Sequence, residues 1–410
     1  MFYFILFLSS AFSQLYTPDT NENWEIISPV ELKWCESEIE NLDLFLEETD
    51  TKAFVILKDG KIAYEKYFND FGRDSIWYWA SAGKSLLSTL VGIAVDEKVI
   101  DLSDKSSKYL GEHWTSLAPE KEDLITIRHQ LTMTTGLDEK TNPLESSNTD
   151  SLTYKADAGD RWYYYNVPYL LLHNVLENAY SLNLNQITNQ KIKNKIKMQG
   201  LWFGNVFYSK ALDAARFGLL IMNNGVWGGE KILNFENKYF SDMSATSSEH
   251  NLAYGYLWWL NGKSKYKQPG IDFDFTGSIV PNADAEMFMA AGKNDQRIYI
   301  DRKNGLVIVR FGNPGDEIAA AISGYDNKLW EKVNDVICNI NSVKNQPTLY
   351  HDYESLKNYL KNKKFRIFDI NGKQFAPSTT ESLPNLPKKQ LYYIRFFDEN
   401  DFKTIKVYFE

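Results

Sequence analysis

The sequence predicts an α+β fold: an antiparallel sheet flanked by helices, with a helical region inserted between its early and late strands and a small β module after it. Three observations carry this. Residues 53–68 (AFVILKDGKIAYEKYF) and 296–312 (QRIYIDRKNGLVIVRFG) each set apolar runs around a turn dipeptide, Asp59-Gly60 and Asn304-Gly305, the patterning of a hairpin. Between them, apolar residues recur at helical spacing over 82–97, 166–178 and 210–223. Near Asn341–Pro347 the composition turns polar, and short strand-like runs return after it.

The remaining elements follow in chain order. Residues 1–14 are an apolar run with a small-x-small pattern at Ala11-Phe12-Ser13, so residues 1–13 read as a signal peptide and the chain as exported to the cell surface or beyond. The main domain is expected over 14–343. Val30–Glu47 and 325–340 read as helical, and each carries one of the two cysteines, Cys35 and Cys338. Export permits a disulfide between them if both helices pack on one sheet face; two unpaired buried thiols are the alternative. Tyr254–Trp259 reads as a strand. Residues 347–410 read as a separate, small β-sandwich-like module, with strands at Phe365–Asp369 and Leu391–Phe397 and a turn at Asn371-Gly372.

Composition narrows the function. Hydrophobic residues make up 43% and charged residues 24%, the balance of a folded chain. The net charge is −9 with Lys and Arg scattered, so nucleic acid is not an expected partner. Two distant cysteines and five histidines give no metal-ligand cluster, and no metal is expected. No stretch of eighteen unbroken apolar residues follows the N-terminus, so no transmembrane helix is expected.

The chemistry concentrates at Ser81-Ala82-Gly83-Lys84. A serine hydroxyl is a weak nucleophile and needs a base within hydrogen-bond reach. The i, i+3 spacing stacks Ser81 and Lys84 on one helix face. The apolar run Leu86, Leu87, Leu90, Val91 and Ile93 buries that helix, and burial lowers a lysine pKa. A second Ser-x-x-Lys, Ser264 to Lys267, lies in a polar stretch with no helix after it and reads as chance. The next element is Tyr164-Tyr165-Asn166. A tyrosine beside Lys84, its own pKa lowered, would shuttle the proton, and the Asn166 amide would contact a substrate carbonyl. A similar triplet, Tyr325-Asp326-Asn327, opens the last helical stretch instead. Trp77, Tyr78, Trp79, Trp258 and Trp259 are as well explained by core packing as by a pocket wall, and His129 and His173 read as structural.

These pieces, in this order, resemble the serine β-lactamase and penicillin-binding-protein family, in its class C-like esterase and amidase branch. The resemblance spans about residues 25–340. It includes the opening hairpin Phe54–Phe68, the stretch Ile125–Leu137, the segment Asp213–Gly218 with Asn224-Gly225 and Trp227, and Tyr254–Trp259. It implies a β-lactamase-like fold and hydrolysis of an ester, amide or peptide through an acyl-enzyme without a cofactor. By it, Ser81 is the nucleophile, Lys84 its activating lysine, Tyr164 the general base and acid, and Asn166 a substrate contact. The family's third motif, a cation, any residue, then Gly, falls on Ala290-Ala291-Gly292, followed by Lys293. The backbone N–H of Lys293 would join that of Ser81 as an oxyanion hole. A rival placement, Phe275–Ser278, lacks the hairpin directly after it.

Ala290 stands where the family has its cation, which points away from the carboxylate-bearing substrates of β-lactamases and D-alanyl carboxypeptidases. Those activities stay open as an alternative, as does a non-hydrolytic binding or sensor protein on the same fold. The run Gly292, Gln296, Arg297, Ile298 is similar to 6-aminohexanoate-oligomer hydrolases and related esterases. The C-terminal module, with Asn371-Gly-Lys373, a Leu-Pro segment at Leu383–Leu386 and a final strand at Lys406–Tyr408, resembles a type IX secretion sorting domain. That resemblance implies the type IX secretion machinery as a partner.

Overall fold

The computed structural model describes residues 15–142, 145–315 and 322–338, positions 356 and 360, and strands at 365–368, 374–376, 391–398 and 401–408. The expected signal peptide, the Asn341–Pro347 break, the Asn371-Gly372 turn and the Leu383–Leu386 segment lie outside the described residues.

The opening hairpin forms as its pattern requires. Strands β1 (Thr51–Lys58) and β2 (Lys61–Tyr67) flank Asp59 at φ 50° and Gly60 at φ 90°, the paired positive φ angles of a type I′ turn. Gly60 is also a point of close approach, because a Cβ there would lie 2.0 Å from the Tyr16 carbonyl oxygen. The Trp24 indole donates to the Gly60 carbonyl at 2.7 Å, so the N-terminal segment seals the hairpin tip.

An insert separates this hairpin from the rest of its sheet. Helix α1 (Ile39–Glu48) precedes β1, and the insert carries β3 (Trp77–Tyr78), α2 (Gly83–Asp96), α3 (Ser107–Leu110), α4 (Pro119–Glu122), α5 (Ile127–Leu131) and α6 (Asn166–Tyr180). There follow α7 (Leu184–Thr188), α8 (Asn194–Ile196), β4 (Leu201–Phe203), β5 (Val206–Ser209), α9 (Ala211–Met222), β6 (Val226–Trp227), β7 (Glu230–Lys231) and α10 (Lys238–Met243). The chain then returns through β8 (Trp259–Leu260), β9 (Lys265–Gln268), β10 (Ile271–Thr276), β11 (Phe288–Gly292), β12 (Gln296–Asp301), β13 (Leu306–Gly312) and α11 (Tyr325–Val336). The central sheet has the order β2-β1-β13-β12-β11-β8, and every neighbouring pair is antiparallel. The late hairpin β12–β13 pairs directly with the early one, as expected.

Helices cover both faces, so β11, β12 and β13 are buried at every residue. The period-2 alternation of β12 shows how. Ile298 and Ile300 face α9, whose Gly218 lies against them, while Tyr299 points the other way and meets Trp330 of α11 at 5.7 Å between ring centroids. After the main domain, β14 (Phe365–Phe368), β15 (Gln374–Ala376), β16 (Leu391–Asp398) and β17 (Asp401–Tyr408) form one antiparallel sheet ordered β15-β14-β16-β17.

Three expectations change. The early helical stretch does not start at Val30. A turn closed by Lys33 N–H to the Val30 carbonyl and Trp34 N–H to the Pro29 carbonyl, with Lys33 at φ 57°, occupies that span. A 3-10 turn at Glu36–Glu38 then leads into α1. The last helix ends at Val336 rather than 340, with Cys338 at φ 56°. Tyr254–Trp259 is a tight loop, not a strand: Leu257 sits at φ 59° and the Gly255 N–H reaches the Trp258 carbonyl. Only Trp259–Leu260 joins the sheet.

The cysteine alternative resolves as a bond. Cys35 and Cys338 are a disulfide across 303 residues, with Cα atoms 5.4 Å apart, beside a hydrogen bond from Cys35 N–H to the Val336 carbonyl. It staples the entrance of α1 to the exit of α11. Reduction, or Cys35→Ser, is expected to lower unfolding stability by about 2–4 kcal/mol. Denaturant midpoints with and without reductant check this, and equal midpoints would contradict it.

Candidate active site

Trp79 anchors the approach to Ser81. Its ring is fully buried among Phe207, Phe217 and Phe311. Its indole N–H donates to Ser209 Oγ at 2.8 Å. Held there, the backbone turns through Ala80 at φ 48°, a conformation that costs a residue with a Cβ and marks functional turns. Ser81 follows in a 3-10 turn, Ala80–Ala82, that feeds α2. It therefore stands just ahead of the α-helix, where free N–H groups favour developing negative charge.

One turn on, Lys84 is 3% exposed. Its Nζ lies 2.9 Å from Ser81 Oγ. Aromatic faces enclose it, the Tyr169 ring centroid at 3.8 Å and that of Tyr164 at 4.9 Å. Among the described residues it forms no salt bridge. Burial pulls its pKa down to about 7, against a smaller upward pull from Glu145. The ammonium thus gives up its proton near neutrality and leaves an amine beside the serine.

Tyr164 stands in an aromatic box, stacked on Trp259 at 5.7 Å and edge-on to Tyr254 at 6.2 Å. Here the sequence expectation needs correcting. Its pKa is raised, not lowered: burial dominates, and the neighbouring Ser81 hydroxyl offsets it only in part. The phenol oxygen has no hydrogen-bond partner among the described residues. In the resting site Tyr164 holds its proton, and Lys84 is the group able to accept one.

Asn166 is the first residue of α6. Its Nδ2 donates to both carboxylate oxygens of Glu145, at 2.8 and 2.9 Å. Its Oδ1 is buried without a partner among the described residues. Glu145 is one residue of this candidate site that sequence reasoning missed. It comes from a loop without periodicity, and nothing in its neighbours marks it. Tyr169 was also missed, although it lies on the same predicted helix face as Asn166, at i, i+3.

Gly292 ends β11 against the turn that carries Ser81. A Cβ there would lie 2.4 Å from the Trp79 carbonyl oxygen and 3.0 Å from the backbone nitrogens of Ser81 and Ala82, so only glycine permits the approach. Lys293 follows with its side chain exposed, and then Asn294 and Asp295 turn through φ 61° and 54°. A buried network holds this reversal. Arg297 donates to the Gly292 carbonyl at 2.7 Å and pairs with Asp326 and Asp295. Arg310 and Gln296 donate to the Asn294 carbonyl, and Asn294 Nδ2 reaches the Tyr78 hydroxyl at 2.7 Å. Asp326 of the discounted Tyr-Asp-Asn triplet is therefore a scaffold residue.

Ala290 is fully buried and supplies no charge. His129 caps α5, and His173 is held neutral by burial, its pKa lowered to about 4; both are structural. Ser264 precedes strand β9 rather than lying in a longer loop, and Lys267 pairs with Asp272 and Asp274. No helix among the described residues is long and apolar enough to cross a membrane.

Residues 46–327, more than half of the chain, match the family described as Beta-lactamase. A 6-aminohexanoate-dimer hydrolase of Paenarthrobacter ureafaciens is 34% identical over 83 residues, 20% of this chain and 21% of that enzyme. The match thus spans about a fifth of the length of that curated relative. A Bacillus anthracis structure provisionally named a 6-aminohexanoate-dimer hydrolase superposes with a TM-score of 0.59 at 18% identity, covering 80% of this chain and 90% of its own. EstCE1, a hydrolase with promiscuous acyltransferase activity, gives 0.57 at 14% identity, covering 74% and 99%.

Burying Lys84 has a thermodynamic signature. An unfolded lysine holds its proton to about pH 10.5, the folded one only to about 7. Between these values the unfolded chain binds the extra proton, so stability rises with pH across that window. Lys84→Met is expected to raise the Tm most near pH 6 and to lose the advantage by about pH 10. A gain of the same size at every pH would contradict the assignment.

Proposed function

The chain belongs to the β-lactamase family, and on that premise we propose that it is a serine hydrolase cleaving an ester or amide through an acyl-enzyme on Ser81. The observation that carries this is the buried Lys84 amine 2.9 Å from Ser81 Oγ. Lys84 takes the hydroxyl proton as Oγ attacks the substrate carbonyl. The N–H groups of Ser81 and Lys293 face the oxyanion, and the close seat of Gly292 against Ser81 supports that pairing. Tyr164, kept protonated by burial, gives its proton to the leaving group and regains one from Lys84. Water then attacks the ester on Ser81 by the reverse route and frees the acid. Asn166, with its unpaired Oδ1, contacts the substrate amide.

Charge defines the substrate further. Ala290 offers no cation, and Glu145 places a carboxylate against Asn166. Both disfavour a substrate whose carboxylate must sit at the third motif, which supports simple esters and amides over β-lactams and D-alanyl peptides. The name 6-aminohexanoate-dimer hydrolase of the Paenarthrobacter relative is compatible with this reading. The proposal extends to location. The Cys35–Cys338 disulfide supports an exported chain with residues 1–13 as signal peptide. The four-stranded sheet after the domain is compatible with a sorting module over 347–410, read by the type IX secretion machinery.

A fluorophosphonate probe is expected to label the wild type and not Ser81→Ala; equal labelling would remove the hydrolase reading. With p-nitrophenyl butyrate, kcat/KM is expected to rise through an apparent pKa near 7 and then level, as Lys84 loses its proton. Lys84→Ala is expected to lose about 10²–10⁴-fold, and a chromogenic cephalosporin to be turned over far more slowly than the ester. Faster cleavage of the cephalosporin would favour the β-lactamase alternative.

A further inference from the structure

Nothing in the proposed mechanism uses Tyr169, yet it is the group in closest ring contact with the base. Lys84 Nζ carries three N–H bonds when charged. One points to Ser81 Oγ at 2.9 Å. Among the described residues no other nitrogen or oxygen is hydrogen-bonded to it. The Tyr169 ring centroid at 3.8 Å and the Tyr164 centroid at 4.9 Å face the ammonium instead. Tyr164 is engaged in the proton transfer itself. Tyr169, one turn into α6, is 7% exposed and fixed by that helix.

We propose that Tyr169 is a positioning residue that sets the proton affinity of Lys84 by presenting its ring face to Nζ. The inference rests on the serine hydrolase reading and adds a group to it. When Ser81 yields its proton, the new ammonium has no carboxylate partner among the described residues, and an aromatic face attracts a desolvated cation most strongly where water is excluded. Tyr169 thereby favours the charged form reached during attack, and it limits how far burial lowers the lysine.

The other groups near Lys84 leave this role to the ring. Glu145 acts from the loop ahead of α6, and its pull is the smaller one. His173, one turn beyond Tyr169, is neutral and weakened further by Lys84. The phenols of Tyr164, Tyr169 and Tyr254 are all raised by burial and stay uncharged. On β11, Ala290 and Ala291 are buried and carry no charge. From α10, Tyr239 is tied to Ser88.

The test is the pH profile of p-nitrophenyl butyrate hydrolysis in Tyr169→Leu and Tyr169→Phe, each checked for folding by its Tm. Removing the face is expected to move the acid limb about one pH unit lower and to reduce the plateau rate. Tyr169→Phe keeps the face and should restore both. A structural role alone would lower the rate of Tyr169→Leu and leave the limb in place, and that result would overturn the proposal. So would Phe behaving as Leu, because the hydroxyl would then be the active part. If Tyr169→Leu does not fold, fluorinated phenylalanines at 169 weaken the face without changing its shape. The limb should fall with each added fluorine, and a constant limb would overturn the idea. Loss of Ser81 labelling in the wild type would instead sink the hydrolase reading, which separates the two failures.

Discussion

A buried lysine with no salt-bridge partner among the described residues is the constraint on which this structure turns. Lys84 reaches Ser81 Oγ at 2.9 Å and is 3% exposed. Water would hold the ammonium charged far above neutrality; an apolar helix face and tyrosine rings do not. The low proton affinity is thus built from packing. The apolar run that buries α2 between α6 and the sheet is the same run that gives Lys84 its low proton affinity.

The second constraint is that two backbone turns must meet. Ala80 lies at φ 48° on one side, and Asn294 and Asp295 at 61° and 54° on the other. Such angles persist only where surroundings over-determine them. On the first side that is the buried Trp79 with its bond to Ser209. On the second it is Arg297, paired with Asp295 and Asp326 and donating to the Gly292 carbonyl. The strand order matters because β12 and β13, deep in the sheet, supply Gln296, Arg297 and Arg310 to that turn. The disulfide at the far ends of α1 and α11 closes the layer that covers Tyr299 and Asp326.

Much of this was legible in the sequence. Asp59-Gly60 fixed a type I′ hairpin, and the spacing of Ser81 and Lys84 before an apolar helical run placed both side chains on one face. The long helices α2, α6 and α9 have strong periodicity and were expected nearly to their ends. What failed did so for physical reasons. The Tyr254–Trp259 run is apolar because it packs the box around Tyr164, and apolarity without alternation does not distinguish a strand from a buried loop. Tyr164 was expected to have a lowered pKa beside Lys84. The box of Trp259 and Tyr254 was not visible in sequence, and burial reverses the sign. Glu145 reaches Asn166 from a loop, a proximity that spacing along the chain does not encode, whereas Tyr169 lies one helical turn from Asn166 and its spacing was readable. Asp326 looked like part of a motif copy and is instead the anchor of Arg297.

The central claim is that Lys84 is neutral near physiological pH because it is buried. Direct NMR titration of the Lys84 side chain in the folded, unliganded protein tests it without reference to any substrate. A midpoint about pH 7 is expected, absent from Lys84→Met and unchanged in Ser81→Ala within about one unit. A midpoint near the ordinary lysine value of 10.5 would contradict it, because the amine beside Ser81 would then be charged and unable to take its proton.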